Sequence, residues 1–178
     1  MGGPMAMTMG LISCGGDHLE KKSELVRARS SLGVFHDILI VDDDTLDAER
    51  LRATLHVLFG YETQIRCASS LGDAVDRVIE HKPSVLFLDD ILKPSATASQ
   101  AMPVLRDAGY AGPIIVVSGQ VTHARRSSLI AAGASDVIHK DDVDSVRVAE
   151  ALAGLQRPEA LEALEALKAP EAKVNAGA

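Results

Sequence analysis

The chain has 178 residues, which suits one domain with something left over. Apolar residues make up 47% of it and aromatics only 3%, so its core must be aliphatic. A formal net charge of -7 argues against a dedicated nucleic-acid binder, which would carry a basic face, and no apolar run approaches the ~18 residues of a membrane span.

Cys14 and Cys67 lie far apart and lack metal-ligand spacing, so a reducing cytoplasm is the expected location. Leu11-Ile12-Ser13-Cys14 resembles a lipoprotein cleavage box. Met1 to Gly10 carries no positive side chain, however, and its apolar stretch is short, which argues against a signal peptide. Residues 1–35 read as an N-terminal extension, flexible or partly helical, with a charged stretch from His18 to Arg29.

From His36 the pattern becomes regular. Ile38-Leu39-Ile40-Val41 is a short, β-branched apolar run ending in aspartates, the signature of a buried parallel strand. Leu51, Leu55, Leu58 and Phe59 recur at helical spacing until Gly60. Tyr61, Thr63, Ile65 and Cys67 alternate with polar residues as a second strand. Ala74, Val75, Val78 and Ile79 mark a second helix, closed by Pro83. Val85-Leu86-Phe87-Leu88 is a third strand, followed by a helix from Gln100 to Ala108 that Pro103 is expected to interrupt. Ile114 to Val117, then Asp136 to His139, supply two more strands. Helices follow each, from about Thr122 to Gly133 and from about Val143 to Leu155.

Strands alternating with helices of ~10–15 residues imply an α/β fold with a parallel sheet covered on both faces. Residues 36–156 therefore form the domain. Residues 157–178 form a tail in which Glu-Ala-Leu occurs three times, from Glu159 to Leu167, after Pro158 at a plausible first helical position. Leucines spaced by three drift around a helix, so this is no sustained coiled-coil seam. The tail helix is expected to pack on its own domain, with a partner or a second copy of the chain (a homodimer) as the alternative. Pro170 to Ala178 reads as disordered.

Asp42 and Asp43 follow the first strand, Asp89 and Asp90 the third, Ser118 the fourth and Lys140 the fifth. In a parallel sheet these positions share the carboxyl edge, where open α/β sheets bind ligands. Three close carboxylates without a cation repel one another, and at least one should have a raised pKa. A hard divalent ion such as Mg²⁺ relieves that repulsion and leaves positions for water and phosphate. A carboxylate beside Mg²⁺ and a lysine is equipped for phosphoryl transfer.

The ordered set Ile38–Asp44, Leu86–Pro94, Val116–Gly119 and Val137–Lys140 resembles the response-regulator receiver family over about His36 to Gln156. The resemblance implies a flavodoxin-like, doubly wound five-stranded sheet of order 2-1-3-4-5. It implies Mg²⁺ held by Asp43 and Asp90, by Asp42 through water, and by the Leu92 carbonyl. Asp90, four residues before Pro94, would accept a phosphoryl group from a histidine kinase or histidine phosphotransfer protein. Asp89 would be a polar strand-end residue shaping the pocket. Ser118 would hydrogen-bond the phosphoryl group, and Lys140 would pair with one of its oxygens. Output would be binding of a downstream protein, since no output domain follows within the sequence.

Several positions depart from the family pattern. Lys140 precedes Asp141 instead of proline, Val137 stands where the switch aromatic belongs, and the loop after Pro94 lacks its usual glycine. These departures motivate one alternative, a receiver-fold scaffold that ignores phosphorylation. A second alternative is a phosphohydrolase of the haloacid dehalogenase type, which Asp42-Asp43-Asp44-Thr45 resembles. The spacing of that motif is wrong here, and Asp89-Asp90 precedes Ser118 and Lys140 instead of following them. The six histidines have no partners at metal spacing. Asp44 is expected to cap a helix, Asp141 and Asp142 to open the last helix, Arg125 and Arg126 to form a solvated face, and Cys67 to be buried.

Overall fold

The computed structural model describes residues 32, 33, 35–94 and 96–156. The charged stretch from His18 to Arg29 and the tail beyond Gln156 lie outside the described residues.

Five parallel strands form one sheet: β1 (Asp37–Val41), β2 (Gln64–Ala68), β3 (Val85–Asp89), β6 (Ile114–Ser118) and β7 (Asp136–His139). Between β3 and β6 lies a small antiparallel ribbon of β4 (Ile91–Leu92) and β5 (Ala96–Thr97). The sheet order is β2-β1-β3-β6-β7, which is the expected 2-1-3-4-5 once the ribbon is set aside. Five helices pack on it: α1 (Thr45–Phe59), α2 (Leu71–Glu80), α3 (Ala98–Asp107), α4 (His123–Ala131) and α5 (Ser145–Gly154).

Every residue of β1, β3 and β6 is buried, which is why these strands read as continuous apolar runs. Alternate residues serve opposite faces. Leu39, Leu86, Leu88 and Val116 meet Val78 of α2 and Met102 and Leu105 of α3 on one side. Ile38, Ile40, Phe87 and Ile115 meet Leu55 of α1 and Leu152 of α5 on the other.

Helix starts are fixed by capping side chains. Asp44 caps α1 by accepting from Leu46 N at 2.8 Å, and Thr122 caps α4 by accepting from Arg125 N at 3.1 Å. Gly60, at φ 79°, ends α1. Asp144 caps α5, so Asp141 and Asp142 fall in a preceding 3₁₀ turn (Lys140–Asp142) and do not open the last helix.

The structure departs from the expected boundaries in three further places. Phe35 is buried and meets Phe59 edge-on at 5.7 Å, so packing begins just before residue 36. The second strand starts at Gln64, because Tyr61 stays at the surface and stacks on His56 at 4.5 Å. Helix α3 also runs through Pro103: Ala101, Met102 and Leu105 are buried around it, and their packing offsets the lost backbone hydrogen bond.

Tyr110 is the largest fully buried side chain among the described residues, and its hydroxyl donates to Pro113 O at 2.8 Å. Pro113 O also accepts from Leu86 N at 3.1 Å, so Tyr110→Phe removes one of its two hydrogen bonds and should lower stability by about 1 kcal/mol. Denaturant unfolding measures this, and unchanged stability would mean that the Leu86 N–H alone satisfies the carbonyl.

Candidate functional site

All the expected polar residues do reach the carboxyl edge of the sheet, but they divide into two groups. Val41 is the register partner of Leu88, and Asp89 that of Val117. Asp42 and Asp89 are the next residues along their strands, so they fall in one row and share a face. Asp90 lies one residue further and faces the other way, its N–H donating to Val117 O at 3.0 Å.

The first group holds Asp42, Asp43 and Asp89, whose nearest carboxylate oxygens all lie within 4.8 Å of one another. Lys140 enters this group from the end of β7. Its Nζ stands 2.8 Å from Asp47, 3.2 Å from Asp89 and 3.3 Å from Asp42. Lys93 closes the outer side, with Nζ 3.0 Å from Asp43 and its backbone N–H donating to Asp43 Oδ1 at 3.3 Å. The second group holds Asp90, Ser118 and Arg125. Ser118 Oγ donates to Asp90 Oδ2 at 3.0 Å, and the Arg125 guanidinium makes a two-pronged ion pair with both oxygens of Asp90.

Burial, with the Asp42 charge beside it, pushes the Asp89 carboxyl up to about 6. Burial also raises Asp42, although the Asp44 N–H and Lys140 oppose it. Burial works in the same sense on Asp43, but the hydrogen bonds and charge of Lys93 outweigh it and hold that carboxyl below its ordinary value. Burial disfavours the Lys140 ammonium, yet Asp47, Asp42 and Asp89 together hold its pKa above the ordinary range. With Asp47, which shares Lys140, the four acids of the two groups become five and face three cations, Lys93, Lys140 and Arg125. The surplus of two negative charges matches one divalent ion, and three hard carboxylate oxygens are a donor set that Mg²⁺ accepts. A crevice of about 520 Å³ opens beside them, lined by Asp89, Asp90, Thr97, Ser118, Arg125 and Lys140.

Of the residues expected from sequence, Asp42, Asp43 and Lys140 come together, while Asp90 and Ser118 pair with each other beside them. Leu92 is buried in the ribbon opposite Ala96. Asp47, Lys93 and Arg125 were not foreseen at the site. Asp47 carries a signal, an acid in the first turn of a helix whose start borders the cluster. Arg125 and Arg126 are not simply solvated, since Arg126 binds Asp136 and donates to Val137 O at 2.7 Å. Val137 is buried in the core. Cys67 is half-buried, and burial pushes its thiol up, which disfavours the thiolate.

The family model described as the response regulator receiver domain matches residues 38–153. The chain belongs to that family. Among curated proteins it is similar to the response regulator MprA of Mycobacterium avium, at 31% identity over 103 residues, which is 58% of this chain and 43% of that protein. The receiver match thus spans less than half the length of that relative. Among solved structures it resembles a CheY-like response regulator receiver domain protein from Methanospirillum hungatei, with a TM-score of 0.55, 18% identity, and 76% of this chain and 98% of the other covered. It also resembles a response regulator protein from Burkholderia pseudomallei whose structure holds a phosphorylated aspartic acid, a calcium ion and citrate. That pair has a TM-score of 0.57 and 22% identity, with 75% of each chain covered. At these identities the two structures speak for the fold. The receiver family also places the chain in two-component signalling.

Proposed function

We propose that the domain accepts a phosphoryl group from the phosphohistidine of a histidine kinase or phosphotransfer protein, with Asp89 as the nucleophile. The observation that carries this is the joint approach of Asp42, Asp43 and Lys140 to the Asp89 carboxylate. Asp42, Asp43 and Asp89 would hold Mg²⁺, which when bound supplies positive charge to the phosphoryl oxygens. An Asp89 oxygen bonds to phosphorus as the P–N bond breaks, and the imidazole leaves with that electron pair. Lys140 turns from the carboxylates to a phosphoryl oxygen, and Ser118 can donate its hydroxyl proton to another.

The spacing to Pro94 favours Asp90 instead. Asp90, however, is held by Ser118 and Arg125 on the far side of the strand end, and Lys140 pairs with its neighbour. Moving the acceptor back by one also moves the backbone carbonyl ligand from Leu92 to Ile91. The phosphorylated aspartate and calcium ion of the Burkholderia protein lend support, since a related fold carries both. Output would be binding of a downstream protein in the reducing cytoplasm, with residues 36–156 as the working unit and the flanks as accessories.

The test is the intact mass of the chain after incubation with acetyl phosphate, with and without Mg²⁺, followed by fragmentation to locate the adduct. One phosphoryl group, gained only with Mg²⁺ and located on Asp89, is the expected result. An adduct on Asp90 returns the acceptor to the position that the proline spacing favours. No adduct, from acetyl phosphate or from phosphorylated kinases, leaves the phosphorylation-independent scaffold.

A further inference from the structure

Asp90 is the crevice acid that Lys140 and Lys93 do not pair with; its ion-pair partner among the described residues is Arg125. The carboxylate is buried, and it is fully engaged on the Arg125 side. Oδ2 accepts from Ser118 Oγ and from Arg125 Nε, each at 3.0 Å, and Oδ1 accepts from the second guanidinium nitrogen. Ser118 Oγ also accepts from Gln120 N at 3.2 Å, which ties in the loop leading to α4. A serine hydroxyl has one proton to give. Asp90 Oδ2 at 3.0 Å and Gln120 O at 3.2 Å both lie within its reach, and a phosphoryl oxygen would compete with them for it.

Helix α4 itself is lightly anchored. Leu129 is its one buried residue among those described. Its first turn is held by ionic contacts, Arg125 to Asp90 and Arg126 to Asp136 and Val137 O. Elements with few buried apolar contacts are the ones that move at low free-energy cost.

We infer that Arg125 and Asp90 form a latch that holds Ser118 and the first turn of α4 against the sheet in the resting domain, and that phosphorylation of the adjacent Asp89 opens it. Only the opening step rests on the acceptor proposed above. A phosphorylated aspartate brings nearly two negative charges and three strong acceptor oxygens into the same crevice. It competes with Asp90 for the Ser118 proton and for the guanidinium. Arg125 is thus a positioning residue, acting on the site through Asp90, and its movement carries the state of the crevice to the exposed surface of α4.

Hydrogen exchange of residues 119–131 in the full chain tests this. Without Mg²⁺ or phosphodonor, Arg125→Gln should raise amide exchange in this segment at least about tenfold, as expected on losing one charge-assisted pair. Asp90→Asn should do the same, and the double variant should exchange no faster than either single. Arg125→Lys should restore part of the protection. Adding acetyl phosphate and Mg²⁺ should speed exchange in the wild type and leave Arg125→Gln unchanged. Wild-type exchange in Arg125→Gln, or additive effects in the double variant, would overturn the latch. An adduct on the wild type with no change in exchange would overturn the opening step. If no adduct forms, the acceptor reading and the opening step fall together, while the comparison of variants still decides the latch.

Discussion

Asp89→Asn should abolish the phosphoryl adduct and, in the same protein, make the metal-free domain more stable. The loss of chemistry follows from removing the proposed nucleophile. The gain in stability follows from where that nucleophile sits. Its carboxyl is raised from 3.8 to about 6, so at neutral pH the fold holds it ionised against burial and the charge of Asp42. A shift of that size corresponds to roughly 3 kcal/mol, at about 1.4 kcal/mol per unit. That shift already includes the opposing pull of Lys140, and the water on the open side of the crevice reduces it, so asparagine should give a net gain of about 1–2 kcal/mol. The sign fixes the pH dependence. Between pH 3.8 and about 6 the folded carboxyl binds more protons than the unfolded one, so its contribution to stability falls as pH rises through that window. The two proteins should therefore be nearly equal near pH 4, diverge up to about pH 6, and keep a constant gap above it. Urea unfolding in EDTA across this range reads the gap directly. Millimolar Mg²⁺ should narrow it, because only the wild type retains all three carboxylates of the proposed metal site and would gain stability by binding. A less stable Asp89→Asn at pH 7.5 would show that the contact with Lys140 outweighs the burial. The fold would then be storing no destabilisation at its reactive carboxylate.

The limits of the sequence reading lie in the same pair of aspartates. That Asp42, Asp43, Ser118 and Lys140 would share one edge of the sheet was legible, because strand–helix alternation fixes a parallel sheet and a parallel sheet gathers its strand ends at one edge. The need for one carboxyl with a raised pKa was legible from charge alone, and Asp89 meets it. Which of two adjacent acids faces the cluster was not, since that depends on register, and one residue of register reverses the face. The spacing to Pro94 counts residues through the β4–β5 ribbon, an element with no apolar period to announce it. Arg125 was hidden for a related reason. A short helix with a single buried residue shows no clear polar face, so a side chain pointing into the crevice reads the same as one in water. Pro103 misled in the opposite direction, because local propensity gave way to the buried packing around it.

Lys140→Met separates two roles that the crevice combines. Three acids, Asp42, Asp47 and Asp89, share this ammonium at 2.8–3.3 Å. Without it the metal-free site holds its carboxylates against one another, and stability in EDTA at neutral pH should fall by about 2 kcal/mol. That is less than the roughly 3–5 kcal/mol of a fully buried pair, because the crevice is open to water on one side. The same loss removes a competitor for the carboxylate oxygens, so Mg²⁺ should bind more tightly to the variant and restore more of its stability than it does for the wild type. Phosphorylation should move the other way. Once the phosphoryl group is in transit, Lys140 is a preorganised cation facing its oxygens, and removing such a donor slows transfer by about 10²–10³. Titration of unfolding midpoints with Mg²⁺ and the rate of adduct formation from acetyl phosphate supply the two readouts. Tighter metal binding with slower transfer assigns Lys140 to the phosphoryl group. If both fall together, Lys140 acts by holding Asp89 and Asp42 in place for the metal, and the positive charge in the reaction must come from elsewhere in the crevice.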